Sequence, residues 1–201
     1  MKKIVSFCAA FVLLCAVALP ASAANLSHTV VKGDTMWKLA VKYQVGTSEI
    51  IAANPQITNP DLIYPGQVLN IPQLDSNVTE FEREVIRLVN VERAKNGLKP
   101  LTENWELSRV ARYKSQDMVD NRYFSHTSPT YGSPFQMIRA FGLSFRTAGE
   151  NIAYGQRTPQ AVVSAWMNSS GHRANILNAS YTQIGVGYVA SGNYWTQMFI
   201  G

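Results

Sequence analysis

The sequence predicts an α+β chain of two units: a small βααβ module, then a larger three-layer arrangement of helices over a few strands. Three observations predict it. Apolar residues alternate along His28–Val31 and Val68–Ile71 but follow helical spacing between them. A short polar join opening on proline, Pro72-Gln73-Leu74-Asp75-Ser76-Asn77, closes that first unit. Beyond the join, helical patterns interleave with strand-like runs, as when helices cover a sheet.

The amino-terminal pattern reads as an export signal. Met1-Lys2-Lys3 is positive, Ile4 to Leu19 is apolar apart from Ser6, and Ala21-Ser22-Ala23 supplies small residues where a signal peptidase reads. The apolar run has 16 residues, fewer than the ~20 that a spanning helix needs. Cleavage after Ala23 is therefore expected, with no stable membrane insertion afterwards. Such cleavage removes both cysteines, Cys8 and Cys15, and lowers the formal charge from +5 to +3. An exported chain of 178 residues without disulfides relies on its core alone, which fits a bacterial envelope or secreted protein. The remaining positive charge suits anionic wall polymers, but is too weak and dispersed for nucleic acid.

In the first unit, a strand over His28–Val31 leads through the turn Lys32-Gly33-Asp34-Thr35 into a helix that Thr35 can cap. Trp37, Leu39, Ala40, Val41 and Tyr43 supply its apolar positions, and Trp37 is expected to pack inward. Gly46-Thr47-Ser48-Glu49 separates a second helix, which Asn54-Pro55 ends, and Val68–Pro72 reads as the closing strand. In the second unit, Thr79-Glu80-Phe81-Glu82 reads as a capping box before a helix that stops at Gly97. Further helices are expected over Trp105 to Asn121, Ser133 to Gly142 and Pro159 to Met167. Strands are expected over Arg146–Ala153, Ile184–Val189 and Tyr194–Ile200, the last two forming a pair joined by Ser191-Gly192-Asn193.

The ordered set Val-Val-Lys-Gly-Asp-Thr-Met-Trp (30–37), Ile-Ile-Ala-Ala-Asn-Pro (50–55) and Ile-Tyr-Pro-Gly-Gln-Val-Leu-Asn-Ile-Pro (63–72) closely resembles a LysM domain over residues 28–72. The resemblance implies binding to N-acetylglucosamine chains such as peptidoglycan, in a groove between two loops. Carried onto this sequence, one wall is Gly33, Asp34, Thr35 and Met36, and the other is Asn59, Pro60, Asp61, Leu62 and Ile63. Asp34 is equally suited to serve only its turn, and Gly33 and Gly66 to serve backbone geometry.

After a linker at 73–78, residues 79–201 carry a second set: Asn90-Val-Glu-Arg93, Phe124-Ser125-His126, Gly149-Glu150-Asn151-Ile152-Ala153, Gly171-His172-Arg173 and Gly185-Val186-Gly187. These resemble the CAP (SCP-like, cysteine-rich secretory and pathogenesis-related) superfamily, especially its bacterial cysteine-free branch. The implied fold is an α-β-α sandwich. The implied cleft has two His and two Glu, matched by His126, His172 and Glu150. Ser169 stands where the second Glu belongs, so the tetrad is incomplete. His126 and His172 with Glu150 nearby could hold a divalent metal such as zinc, or perform acid–base chemistry. Both histidines fall in stretches that read as irregular and polar, and Asn151, Arg173 and Asn175 are expected to fix the loops.

Common hydrolase signatures, Gly-x-Ser-x-Gly and His-Glu-x-x-His, are absent from the sequence, and no cysteine nucleophile follows Ala23. The leading expectation is a secreted, wall-associated binding protein rather than an enzyme. The alternatives are a wall-targeted, metal-assisted hydrolase using His126, Glu150 and His172, and a structural protein of a wall or spore layer.

Overall fold

The computed structural model describes residues 26–201; the predicted leader, with Cys8 and Cys15, lies outside the described residues. The first unit is β1 (Leu26–Thr29), α1 (Met36–Tyr43), α2 (Thr47–Ala52) and β2 (Val68–Ile71). The two strands pair antiparallel, Leu26 opposite Ile71 and Thr29 opposite Val68. Thr35 caps α1 by accepting from the Lys38 amide. Its small core gathers Val30, Met36, Leu39, Ala40, Ile50, Leu69 and Ile71. Asn54 is fully buried and ties α2 to β2, its amide donating to the carbonyls of Ile50 and Asn70 while its oxygen accepts from the Asn70 amide. The Asn54-Pro55 helix stop is thus also the pin between helix and sheet.

The second unit runs α3 (Ser76–Lys95), β3 (Thr102–Glu103), α4 (Trp105–Asp120), α5 (Pro134–Ala140), β4 (Ala148–Tyr154), α6 (Pro159–Met167), α7 (Ser170–Ile176), β5 (Gln183–Val189) and β6 (Tyr194–Ile200). The sheet order is β3-β5-β6-β4, antiparallel except for the short β3–β5 pairing. One apolar layer joins α4 and α5 to the sheet through Leu107, Val110, Ala111, Met137 and Met198. The other joins α3 and α6 through Val85, Val89, Val162, Trp166, Val186 and Trp195. The expected three-layer α-β-α sandwich follows.

The Gly185-Val186-Gly187 motif explains the fit of the first layer. A Cβ on Gly185 would collide with the backbone of Leu107 and Ser108, and one on Gly187 with that of Ala111 and Arg112. Only glycine allows α4 to lie this close on β5. Asn90 and Arg93 of the first motif are likewise structural. Asn90 exchanges two hydrogen bonds with the Leu101 backbone, and buried Arg93 donates to the carbonyls of Lys99, Ile176 and Asn178.

Three local expectations are corrected. Helix α3 begins at Ser76 with Asp75 as N-cap, accepting from the Asn77 amide; the Thr79 hydroxyl instead donates to the Asp75 and Ser76 carbonyls. His172 lies on α7, a short helix rather than an irregular stretch. Trp37 is 59% exposed, because Met36, Leu39 and Ala40 fill the inward side of α1.

The two units touch through charged groups. Arg109 of α4 donates from Nε and Nη2 to the two oxygens of Glu49 on α2, at 2.5 and 2.8 Å, and the Tyr113 hydroxyl adds a bond of 3.0 Å. The Arg109 guanidinium also lies over the rings of Tyr113 and Phe141, which help to hold it against Glu49.

Candidate functional site

In the first unit, the C-terminal end of β1 and the N-terminal end of β2 adjoin, so the loops after β1 and before β2 leave the same end of the sheet. Gly66 reinforces this by donating from its amide to the Val30 carbonyl at 2.9 Å. Gly33, Thr35, Asn59, Asp61 and Leu62 are exposed, whereas Asp34, Pro60 and Ile63 are half-buried. The Met36 side chain is packed into the core and cannot line a groove, which corrects its place among the expected contacts. Several side chains serve their own loops. Asp34 accepts from the Val31 amide and pairs with His28 at 2.9 Å, and these bonds hold its carboxyl below the usual range. The Asn59 oxygen accepts from the Asp61 amide, and Lys38 donates to the Gly33 carbonyl. The loops are therefore pre-shaped, with backbone groups and the apolar Leu62 side chain left facing outward.

In the second unit, the expected cleft residues come from three elements at one edge of the sheet. Glu150 stands on edge strand β4, His126 on the segment after α4, and His172 on α7. His126 Nδ1 and Glu150 Oε1 are hydrogen-bonded at 2.7 Å. The His126 side chain is 54% exposed and that of Glu150 only 2%, so the imidazole reaches solvent and the carboxyl lies buried behind it. His172 is half-buried; burial, and then the charge of nearby His126, hold its pKa below the ordinary histidine value. His126 is thus the shared member, hydrogen-bonded to Glu150 and close enough to His172 for its charge to be felt there. Asn151 and Asn175 lock α7 to β4. Asn151 donates to the His172 carbonyl, and Asn175 donates to the Glu150 carbonyl and the Asn151 oxygen. Both are structural, and the elements they fix are a helix and a strand rather than loops.

Beneath His126 lies a polar layer that sequence reasoning missed. Lys114 is buried and donates to the Ser125 carbonyl at 2.8 Å, the His126 carbonyl at 3.0 Å and the Tyr123 hydroxyl at 2.9 Å. Tyr123 in turn donates to Asp117. Asp117 also accepts from Ser128 at 2.7 Å, Thr130 at 2.6 Å and Asn121 at 2.7 Å. Burial pushes the Asp117 carboxyl up, but these donors outweigh it and hold it below the usual range. One signal pointed here: Lys114 occupies the inward stripe of α4 with Leu107, Ala111 and Met118, where a lysine needs partners.

Burial pushes the Glu150 carboxyl upward, opposed by the His126 hydrogen bond and the Lys114 charge, and the net shift is upward. Its Oε2 is buried without a hydrogen-bond partner among the described residues. This is a buried carboxyl with one oxygen committed to an imidazole and the other without a protein partner among the described residues. It does not amount to a metal centre. Among the described residues no three His, Cys, Asp or Glu side chains gather to hold an ion, and Ser169, the N-cap of α7, brings no carboxylate. The expected zinc pair, His126 and His172, supplies at most two of the four ligands of a tetrahedral site, and the bond of His126 Nδ1 to Glu150 leaves Nε2 as that residue's coordinating nitrogen.

Residues 86–199 match the family described as cysteine-rich secretory protein, CAP, and residues 28–72 match the LysM domain. The chain belongs to the CAP family. It also carries a LysM domain ahead of the CAP domain. It is 63% identical over 126 residues to the Bacillus subtilis (strain 168) protein YkwD, a match covering 63% of this chain and 49% of that one. An extracellular protein containing an SCP domain from Bacillus anthracis str. Ames superposes with a TM-score of 0.60 at 34% identity, covering 68% of this chain and 47% of that one. This CAP chain thus spans about half the length of these relatives. On the LysM side, the secreted LysM effector ECP6 of Passalora fulva is 39% identical over 54 residues, or 27% of this chain and 24% of that one. No helix among the described residues is long and apolar enough to cross a membrane.

Proposed function

We propose that this is an exported cell-wall protein whose LysM module docks on N-acetylglucosamine-containing glycan, peptidoglycan in a bacterium, while the CAP domain presents a ligand cleft. The observation that carries the reading is the pair of pre-shaped loops, 33–36 and 59–63, leaving one end of the LysM sheet with backbone groups and Leu62 outward. Exposed amides and carbonyls suit an acetamido group, and a small apolar side chain suits its methyl. A relative whose name describes a secreted LysM effector supports an extracellular setting, as does the amino-terminal leader pattern. The functional pieces divide accordingly: residues 28–72 retain the protein on the wall, and His126, Glu150 and His172 form a separate recognition point.

Co-sedimentation with purified peptidoglycan tests the docking half. The protein should pellet with the polymer, and deletion of residues 28–72 should release most of it; unchanged pelleting would remove the LysM module from the role. Within the CAP cleft, the raised Glu150 carboxyl beside His126 also favours a second reading, metal-free acid–base chemistry on a wall component. Incubation with peptidoglycan would then yield soluble fragments at a rate that falls at least 100-fold in His126→Ala, and equal rates would end that reading.

A further inference from the structure

A second feature borders the cleft. Phe124, Tyr154 and Tyr194 form an aromatic shelf around a shallow depression of about 390 Å³, with Tyr123, Arg122 and Gly192 completing its wall. Phe124 meets Tyr154 edge-on at 4.7 Å between ring centroids, and Tyr154 stacks on Tyr194 at 5.7 Å, their strands holding them directly opposite one another. Phe124 is 45% and Tyr154 56% exposed. Rings held at the surface by a sheet pair and a tight loop mark an interaction site more often than a packing accident.

The geometry points to a carbohydrate subsite: we infer that the shelf takes pyranose rings of a carboxylate-bearing, N-acetylated wall glycan, the same polymer that the LysM module holds under the reading above. Four observations select that occupant. The lining is aromatic, presenting ring edges as well as faces, and is bordered by hydrogen-bonding groups, namely the hydroxyls of Tyr154 and Tyr194, Ser191 and Arg122. A pyranose has the same split character, an apolar C–H face with a polar rim, whereas a helical partner asks for a continuous hydrophobic groove. Arg122 is exposed and has no carboxylate partner among the described residues, so its guanidinium complements an anionic sugar. Its backbone is held at φ +52° by the turn that ends α4, which fixes where the side chain departs.

The fourth observation is continuity with the cleft. Phe124 lies two residues before His126, and Tyr154 lies four residues beyond Glu150 on the same face of β4. At ~3.3 Å per residue Tyr154 is about 13 Å along β4 from Glu150, a span that one short oligosaccharide can bridge. The shelf would thus align a glycan strand whose next units lie over His126 and Glu150. LysM contact alone would then be half of a two-point attachment, and a strand long enough to reach both gains from effective concentration.

The test uses the full two-domain protein and two soluble probes of equal length. One is an alternating N-acetylglucosamine–N-acetylmuramic acid oligosaccharide with its carboxylates, and the other is a chito-oligosaccharide without them. NMR shift mapping should show the alternating glycan perturbing both the 33–36 and 59–63 loops and the Phe124, Tyr154 and Tyr194 signals. Phe124→Ala/Tyr154→Ala should abolish the shelf shifts and weaken binding of the alternating glycan about tenfold, leaving the LysM shifts in place. Phe124→Tyr/Tyr154→Phe, which keeps the rings, should restore both, and unchanged core amide shifts establish that the alanine variant is folded. Arg122→Gln should erase the preference for the carboxylated probe. LysM shifts without shelf shifts, or equal affinity of the alanine variant, would overturn the proposal while leaving LysM docking intact. Shelf shifts without LysM shifts would support the subsite and remove the docking reading; no shifts at either place would remove both. Shelf shifts that depend on protein concentration without glycan would assign the shelf to a second copy of this chain and overturn the proposal.

Discussion

Replacing Glu49 by Gln removes the carboxylate at the junction of the two domains and keeps its shape. Glu49 accepts two bonds from Arg109, one from Tyr113 and one from Ser48, at 2.5–3.0 Å, and the paired Glu49 and Arg109 side chains are 24% and 19% exposed. Fully exposed ion pairs contribute about 0.2–1 kcal/mol, while hydrogen bonds to charged groups away from solvent contribute about 1.5–3 kcal/mol. Partial exposure and two-pronged geometry place the Glu49–Arg109 coupling between these limits, at about 1–2 kcal/mol. The assay is a double-mutant cycle with Glu49→Gln and Arg109→Gln, following urea unfolding of LysM amide signals separately from CAP signals. The LysM signals should unfold at lower urea in either single variant, with little further loss in the double. The pH dependence has a definite sign. Although burial works to raise it, the net pKa of Glu49 lies below the ordinary glutamate value, chiefly through Arg109. The stabilisation is thus complete above the unfolded-state value near 4.5 and is lost as pH falls through the lower folded value. A coupling energy indistinguishable from zero, or independent tumbling of the domains in the parent protein at neutral pH, would refute the claim that charge holds them together.

Three further outcomes are expected. Glu150 has its folded pKa raised, so its contribution to stability is greatest below about pH 4.5 and is lost as pH rises through the folded value. Glu150→Gln should flatten that part of the stability–pH curve, and superimposable curves for variant and parent would contradict the buried, proton-holding carboxyl. Lys114→Met should cost about 2–4 kcal/mol in chemical denaturation, because the carbonyls of Ser125 and His126 lose a buried donor, and His126 signals should broaden or move. A loss below about 0.5 kcal/mol would show that the lysine is not holding the His126 segment. Gly187→Ala should cost about 3 kcal/mol, since the new methyl meets the α4 backbone, whereas Trp37→Ala should change stability by less than about 0.5 kcal/mol; reversed magnitudes in thermal melts would contradict both placements.

Much of the architecture was legible because local chemistry announces it. Thr35, Gly46, Ser133 and Thr158 sit at helix starts, and all except Gly46 accept a capping bond from the third residue onward. Alternation marked β2, the Ser191-Gly192-Asn193 turn marked the pairing of β5 with β6, and an uninterrupted motif order marked both domains. The errors have equally local causes. Thr79 fitted a capping pattern, but Asp75 lies one turn earlier with a stronger acceptor, so the helix starts there. Trp37 looked like core on residue type, yet one small helix over a two-stranded sheet has room inside for Met36, Leu39 and Ala40 only.

By itself the sequence determined the two domains and the order of their elements, which depend on residue type and local spacing, and it offered His126, Glu150 and His172 as candidates through family resemblance. Tertiary structure decided what those residues can do. Glu150 becomes a buried carboxyl because β4 is an edge strand closed by α7 through Asn151 and Asn175, contacts made across 21 to 25 positions of sequence. Lys114 becomes a strut because the chain after α4 folds back over it, and Ser169 leaves the cleft without a further acidic ligand. Phe124, Tyr154 and Tyr194 become one shelf only when β4 and β6 pair. Burial, pKa and ligand geometry are properties of neighbours in space, and those neighbours come from segments with no local reason to meet.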